Sequence, residues 1–271
     1  MSGAGRIAER FAVLRRESRG GFVAYLTAGD PHPSRTASLV EALDRGGADV
    51  IELGVPFSDP LADGPVIQRA SERALAAGAT LGRVLESVCE VRPRVDAGIV
   101  LFSYANPILA YGAPRFLADA SAAGVDGLLV LDLPPEEMGD FREGLIAHGL
   151  DPIFLIAPTS SEARIRQAAA LGRGFLYGIS RLGVTGMRQE VGDAAAELAT
   201  RVKAITEMPL ALGFGVSEPD HVRAFQRIAD AAVVGSRLVD AVARHGHEPD
   251  LPDRIEAMVR WLRGCGEKPQ E

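Results

Sequence analysis

The sequence predicts an α/β protein built as a single (β/α)8 TIM barrel, and three observations carry that prediction. Eight short apolar runs recur along the 271 residues, and Ala- and Leu-rich segments with helical spacing fill most of the gaps. The runs are apolar on both faces, as strands of a covered parallel sheet are. Eight strand–helix units close most naturally into a barrel. A doubly wound open sheet is the alternative, but no Gly-x-Gly-x-x-Gly follows the first strand to support it.

The chain opens with a helical pattern near residues 3–18, which we expect to cover one end or the outside of the barrel. The first strand, Phe22 to Leu26, runs into Thr27-Ala28-Gly29-Asp30, and a helical stretch from Ser34 to Arg45 follows. The second strand, Val50 to Leu53, holds Glu52 near its end. After it Pro56 and Pro60 stiffen a polar loop bearing Ser58, Asp59 and Asp63, until Gly64-Pro65 opens the next helical pattern. The third strand, Ile99 to Phe102, leads into Ser103-Tyr104-Ala105-Asn106-Pro107 and a helix over Arg115 to Ala123. A fourth strand spans Gly127 to Leu131 and ends at Asp132-Leu133-Pro134. The fifth, Pro152 to Ile156, precedes Ala157-Pro158-Thr159 and a helix from Ser161 to Leu171. The sixth, Gly174 to Gly178, opens a long glycine-punctuated loop through Arg181 to Gly186, with a helix from Glu190 to Ile205 beyond it. Strands seven (Leu210 to Leu212) and eight (Ala231 to Val234) end in Gly213-Phe214-Gly215 and Gly235-Ser236. A last helix is read over 251–263. No low-complexity linker interrupts the series, so residues 1–271 are expected to form one domain.

Composition narrows the function. Hydrophobic residues make up 47% of the chain, enough to bury one large core, and the formal charge is −7 with no Lys/Arg cluster. Nucleic acid and anionic membranes are therefore poor partners. No apolar run approaches the roughly 20 residues of a membrane span. Cys89 and Cys265 lie on predicted helices without metal-ligand spacing, and no signal-peptide pattern is seen, which points to a reducing cytoplasm. The five histidines form no two-histidine metal pair.

In a barrel, the ends of all eight strands meet on one catalytic face. Glu52 then stands at a buried strand end, where a charge is costly without a purpose, and Asp63 faces the same end from a loop. The competing reading of Glu52 is a structural acid paired with a buried arginine; that of Asp63 is an ordinary helix-preceding turn. Asp30 and Asp59 are open to the same capping reading. Gly213-Phe214-Gly215 and Gly235-Ser236 occupy the two loops that commonly bind phosphate in barrels, the alternative being tight turns with helix caps. The 181–186 loop reads as a lid over an anion or as a plain surface loop. Asp49, Asp126 and Asp230 precede their strands, at the end that serves stability.

Seven segments together resemble a known family, the α subunit of tryptophan synthase: Tyr25-Leu-Thr-Ala-Gly-Asp-Pro31, Glu52 through Pro65, Tyr104-Ala-Asn-Pro107, Gly124-Val-Asp126, Ser180 through Gly186, Gly213-Phe-Gly215 and Gly235-Ser236. The similarity runs from about residue 20 to residue 240. It implies cleavage of indole-3-glycerol phosphate to indole and glyceraldehyde 3-phosphate, with the indole passed to a pyridoxal-phosphate β subunit in an α2β2 complex. It places the catalytic acid/base on Glu52 and the indole-binding carboxylate on Asp63. The phosphate site maps to Gly186, Gly213, Phe214, Gly215, Gly235 and Ser236, with Thr185 in the adjoining loop and Tyr177 near the acids. Phe22, Phe102, Leu129, Tyr177 and Phe214 are candidates to surround the indole. Pro56, Asp59, Asn106 and Pro107 match positions facing the β subunit. Leu131 stands where the family usually has a small residue, and Ala24 where proline is common. The implied chemistry uses two carboxyl groups and calls for no metal, nucleotide or Schiff-base lysine; Lys203 and Lys268 are the only lysines. Three rivals are a stand-alone lyase releasing free indole, another phosphate-binding barrel, and an idle barrel kept as a regulatory subunit.

Overall fold

A computed structural model of the chain describes residues 5–179, 188–213 and 215–269. Eight parallel strands close in sequence order: β1 (Gly21–Thr27), β2 (Val50–Gly54), β3 (Gly98–Ser103), β4 (Gly127–Val130), β5 (Asp151–Ile156), β6 (Leu176–Ile179), β7 (Leu210–Gly213) and β8 (Ala231–Val234). The barrel prediction stands, and the open sheet does not. Helix α1 (Arg6–Arg16) precedes β1 and α2 (Thr36–Gly46) follows it; α3 (Pro65–Ala76) and α4 (Leu81–Val91) join β2 to β3. Next come α5 (Ala105–Tyr111) and α6 (Ala113–Ala123), then α7 (Gly139–Ala147), α8 (Glu162–Leu171) and α9 (Arg188–Ile205). The series ends with α10 (Pro219–Ile228), α11 (Ser236–His245) and α12 (Leu251–Leu262).

Strand parity divides the core in two. Val23, Val50, Val100, Leu129, Ile153, Phe175, Ala211, Ala231 and Val233 fill the barrel interior, and α1 plugs its lower end with Ile7, Phe11 and Leu14. The spacing of those three is helical, so one face of α1 is apolar throughout. Residues of opposite parity, among them Phe22, Ile51, Ile99 and Leu128, point outward and pack under the helices. Each such buried side chain contributes roughly 1.5–3 kcal/mol by removal from water. The C-terminal helix α12 lies outside the barrel on α2, presenting Leu251, Ile255, Val259 and Leu262. Gly46 permits that approach, because a Cβ there would lie 2.7 Å from Cβ of Val259.

At the lower rim, three aspartates repeat one device. The carboxylates of Asp49, Asp126 and Asp230 accept the backbone N–H of Phe22, Ile99 and Leu210, at 2.9, 2.8 and 2.9 Å. Their own N–H groups return the bond to the carbonyls of the same three residues, tying β2, β4 and β8 each to the strand before it. Arg19, Arg92 and Arg15 respectively neutralise them. This is the stabilising role expected at that end. Asp30 behaves differently from the cap proposed for it: it is buried after β1 and forms a two-point ion pair with Arg73 of α3, at 2.8 and 2.7 Å. The pair ties α3 to β1 and so fixes the far end of the loop that carries Asp63.

Candidate active site

The upper face gathers the polar strand ends. Glu52 is the third residue of β2, level with Tyr25 of β1 and Val100 of β3, and its parity turns it into the barrel mouth. It is fully buried, and neither carboxylate oxygen has a hydrogen-bond partner among the described residues. Among the described residues no arginine pairs with it, which speaks against the structural-acid reading. An ionised carboxylate with no donor is strongly disfavoured in such a place, so burial pushes its pKa from 4.5 up to about 8. Near neutrality burial thus favours the protonated form of Glu52.

Asp63 reaches the same space from the loop after β2. Desolvation raises its pKa to about 6, partly countered by a hydrogen bond of 3.1 Å donated by the Tyr104 hydroxyl. That hydroxyl also accepts the N–H of Ala62 at 3.0 Å, and the Phe57 ring stacks on Tyr104 with centroids 5.1 Å apart. Gln68 completes the support by donating to the carbonyl of Asp63 at 2.9 Å. The loop is thus held from β3 and α3 at once. Tyr25 and Tyr177, both buried, have phenols raised first by desolvation, and each also senses the charge of Glu52 and of Asp63. The two acids therefore converge on one pair of tyrosines.

A cavity of about 300 Å³ opens beside these groups, lined by Tyr25, Ile67, Phe102, Tyr177, Val216 and Val233 on its apolar side. Phe102 meets Tyr25 edge-on at 5.4 Å and Tyr177 at 6.2 Å, making an aromatic wall of three rings. The opposite side is Gly213, Gly215, Ser217, Gly235, Ser236, Arg237 and Asp240. Gly215 adopts φ +67°, which favours glycine, and α11 begins at Ser236 with Gly235 as a cap that carries no side chain. The first N–H groups of α11 thus open toward the cavity with the positive end of the helix behind them. An aromatic slot, two acids and an anion cradle suit a planar aromatic ring joined to a phosphorylated chain.

Of the residues expected at the site, Tyr177, Phe102, Gly213, Gly215, Gly235 and Ser236 line this cavity, while Glu52 and Asp63 do not line it and are joined to it through Tyr25 and Tyr177, whose phenols sense both acids. Phe22 is not among them. Its parity sends it outward into the packing beneath the helices, fully buried, and Tyr25, three positions on and facing in, takes the place expected for it. Leu129 faces the interior beside Phe102 but is fully buried and does not line the cavity. Pro56 is buried within the chain itself, so it offers no surface to a partner, whereas Asp59 and Asn106 are exposed and Pro107 half-buried. Leu131 lies just past the end of β4. Thr185, Gly186 and Phe214, with the rest of the 181–186 loop, lie outside the described residues. Sequence reading passed over Tyr25 as a pocket residue, Tyr104 as the support of Asp63, and Gly54. A Cβ on Gly54 would fall 2.1 Å from the Tyr25 hydroxyl, so the glycine is what lets the phenol lie across β2. Among the described residues no cluster of His, Cys, Asp and Glu has the grouping to hold a metal ion.

Comparison with known proteins agrees with this geometry. The model of a family described as tryptophan synthase alpha chain matches residues 11–261. The tryptophan synthase alpha chain of Solibacter usitatus is 49% identical over 262 residues, covering 96% of this chain and 98% of that one. The crystal structure of tryptophan synthase subunit alpha from Legionella pneumophila superposes with a TM-score of 0.88 at 35% identity, over 97% and 98% of the two chains. A chain of the tryptophan synthase complex from Pyrococcus furiosus gives a TM-score of 0.83 at 39% identity, over 90% of this chain and 98% of that one.

Proposed function

The chain belongs to the tryptophan synthase alpha chain family, whose reaction is the cleavage of indole-3-glycerol phosphate to indole and glyceraldehyde 3-phosphate in tryptophan biosynthesis, and we propose that Glu52 and Asp63 carry out that cleavage here. The observation that bears the most weight is the wholly buried Glu52, without a hydrogen-bond partner among the described residues, since a group that remains protonated to about pH 8 is suited to proton transfer. The indole ring lies against Tyr25, Phe102 and Tyr177, and the phosphate in the cradle of Gly213, Gly215, Gly235 and Ser236. The resemblance assigns Thr185, Gly186 and Phe214 to the same end; they lie outside the described residues.

Glu52 gives its proton to C3 of the indole, breaking the aromatic enamine and leaving a positive indoleninium. Asp63, ionised above about pH 6, accepts the ring N–H and meets the developing charge. The Glu52 carboxylate then takes the proton of the side-chain hydroxyl next to C3. As that C–O bond becomes a carbonyl, the bond to C3 breaks and its electron pair restores the indole ring. Glu52 ends protonated, so the cycle closes with no cofactor. Phosphate binding at the far end orients the bond to be broken.

The partner is read as a tryptophan synthase β subunit in an α2β2 assembly. What supports it is the catalytic-face rim, where Asp59 and Asn106 are exposed and Pro107 half-buried, with two apolar side chains, Leu61 and Leu109, which are 88% and 67% exposed. No helix among the described residues is long and apolar enough to cross a membrane, and the cytoplasm is the proposed compartment. Indole release from indole-3-glycerol phosphate, with and without added β subunit, tests both parts. A slow basal rate raised by the partner is expected, with at least a hundredfold loss in Glu52→Gln. Fast turnover that ignores the β subunit contradicts the assembly, and Glu52→Gln above about a tenth of the wild-type rate contradicts the acid/base role.

A further inference from the structure

The three-carbon chain between the indole and the phosphate of the substrate carries two hydroxyls. Glu52 takes the proton of the first, next to the ring. The second, on the middle carbon, must find its partner in a cavity whose walls include Ile67, Phe102, Val216 and Val233. A hydroxyl left unpaired in such surroundings forfeits the hydrogen bonds it had in water. Tyr25 runs beside its path. At the phosphate cradle the Tyr25 Cβ lies 3.5 Å from where a Cβ on Gly235 would stand, and the phenol reaches across β2 to Gly54, the next inward position above Glu52. The side chain thus spans the distance from the cradle to the strand that carries the acid, and it lines the cavity between them.

The hydroxyl of Tyr25 has spare capacity. Its one hydrogen-bond partner among the described residues is Oγ1 of Thr27, at 3.3 Å, and Thr27 stands at the next inward position of β1, buried like Tyr25 itself. Two hydroxyls carry two donor hydrogens, and the bond between them uses one. The pair therefore keeps a donor and several lone pairs, and an alcohol can use both. Tyr177, the other phenol of the cavity, is placed differently. Its hydroxyl lies 3.2 Å from where a Cβ on Gly213 would stand, on the cradle side, whereas that of Tyr25 lies on the strand of Glu52.

We propose that Tyr25 is a substrate-binding residue whose hydroxyl, backed by Thr27, holds the hydroxyl on the middle carbon of the substrate chain and selects for ligands that carry it. The proposal rests on the placement of the acids and the phosphate given above. Holding the middle carbon turns its neighbour's hydroxyl toward Glu52. A ligand without the middle hydroxyl leaves the Tyr25 and Thr27 pair unmatched and is bound less well for that reason.

The probes are two inert analogues: indole-3-propanol phosphate, which lacks both hydroxyls, and its derivative hydroxylated on the middle carbon alone. Neither can be cleaved, because the reacting hydroxyl is absent. Each is titrated by calorimetry into the full chain, in wild type, Tyr25→Phe and Tyr177→Phe, with thermal melts to establish that each variant is folded. Wild type should bind the hydroxylated analogue about three- to tenfold more tightly than the other, the range of one net hydrogen bond. Tyr25→Phe should bring that ratio down to about one and leave affinity for the analogue without hydroxyls within about twofold of wild type, a split that general damage to the pocket does not produce. A ratio in Tyr25→Phe equal to that of wild type, or one abolished only by Tyr177→Phe, overturns the proposal. Wild-type binding of both analogues without preference also overturns it while leaving the substrate site in place, whereas binding of neither removes the substrate site and the proposal together.

Discussion

Replacing Glu52 by Gln should make the protein more stable as it makes it inactive, and the gain should depend on pH. The folded chain holds the Glu52 proton up to about pH 8, whereas the unfolded chain releases it near 4.5. Between those values the folded state binds more protons, so wild-type stability falls as pH rises through this window and levels off above about 8. Gln cannot ionise and escapes that loss. Linkage over pH 5 to 8.5 gives a difference of about 4 kcal/mol between the two curves, an upper figure because water and side-chain relaxation soften buried charges. At roughly 2 °C per kcal/mol for a chain of this size, the melting temperatures should diverge by up to about 8 °C across the range. Any fixed cost of burying the amide shifts both ends equally and drops out of the difference. Urea denaturation of both proteins at pH 5 and at pH 8.5 measures it. Parallel curves would mean that Glu52 is not buried in protonated form, and the reasoning about its chemistry would go with it.

Other changes probe the surroundings. Tyr104→Phe removes the hydrogen bond that favours ionised Asp63, so the acid limb of the rate profile should move above about pH 6 and kcat fall about tenfold, with melting little changed; an unmoved limb refutes the tie. Arg73→Ala leaves the carboxylate of Asp30 buried and unpaired, which should cost about 3 kcal/mol in urea unfolding. Gly54→Ala places a methyl group where the Tyr25 hydroxyl lies, displacing the phenol from the aromatic wall; KM for indole-3-glycerol phosphate should rise several-fold, and an unchanged KM would mean that Tyr25 does not bound the ring.

Much of this fold could be read along the chain because its signals are local. A run such as Ala231 to Val234, apolar on both faces and followed by Gly235, needs no tertiary information to be a barrel strand. Helix limits came within a few residues for the same reason: Ser161 accepts a cap bond from Arg164, and Gly47 closes α2 in a left-handed turn. Glu52 and Asp63 stood out because an acid at a buried strand end is costly. Parity was harder, since β1 is apolar at every position and nothing local says whether Phe22 or Tyr25 faces in; the register with Glu52 decides it. Contacts across the sheet were beyond reach. Tyr104 meets Asp63 from 41 residues away and Arg73 meets Asp30 from 43, so those pairings exist only once the barrel closes. Pro56 reads as a loop residue, and only packing shows it buried.

The most direct test of the two-acid mechanism is the pH dependence of kcat/KM for indole formation from indole-3-glycerol phosphate, wild type beside Glu52→Gln. Two essential groups, Asp63 ionised and Glu52 protonated, predict a bell with limbs near about pH 6 and about pH 8, and a variant at least a hundredfold slower. A wild-type profile flat through pH 8, or a Gln variant retaining more than about a tenth of the rate, would contradict it.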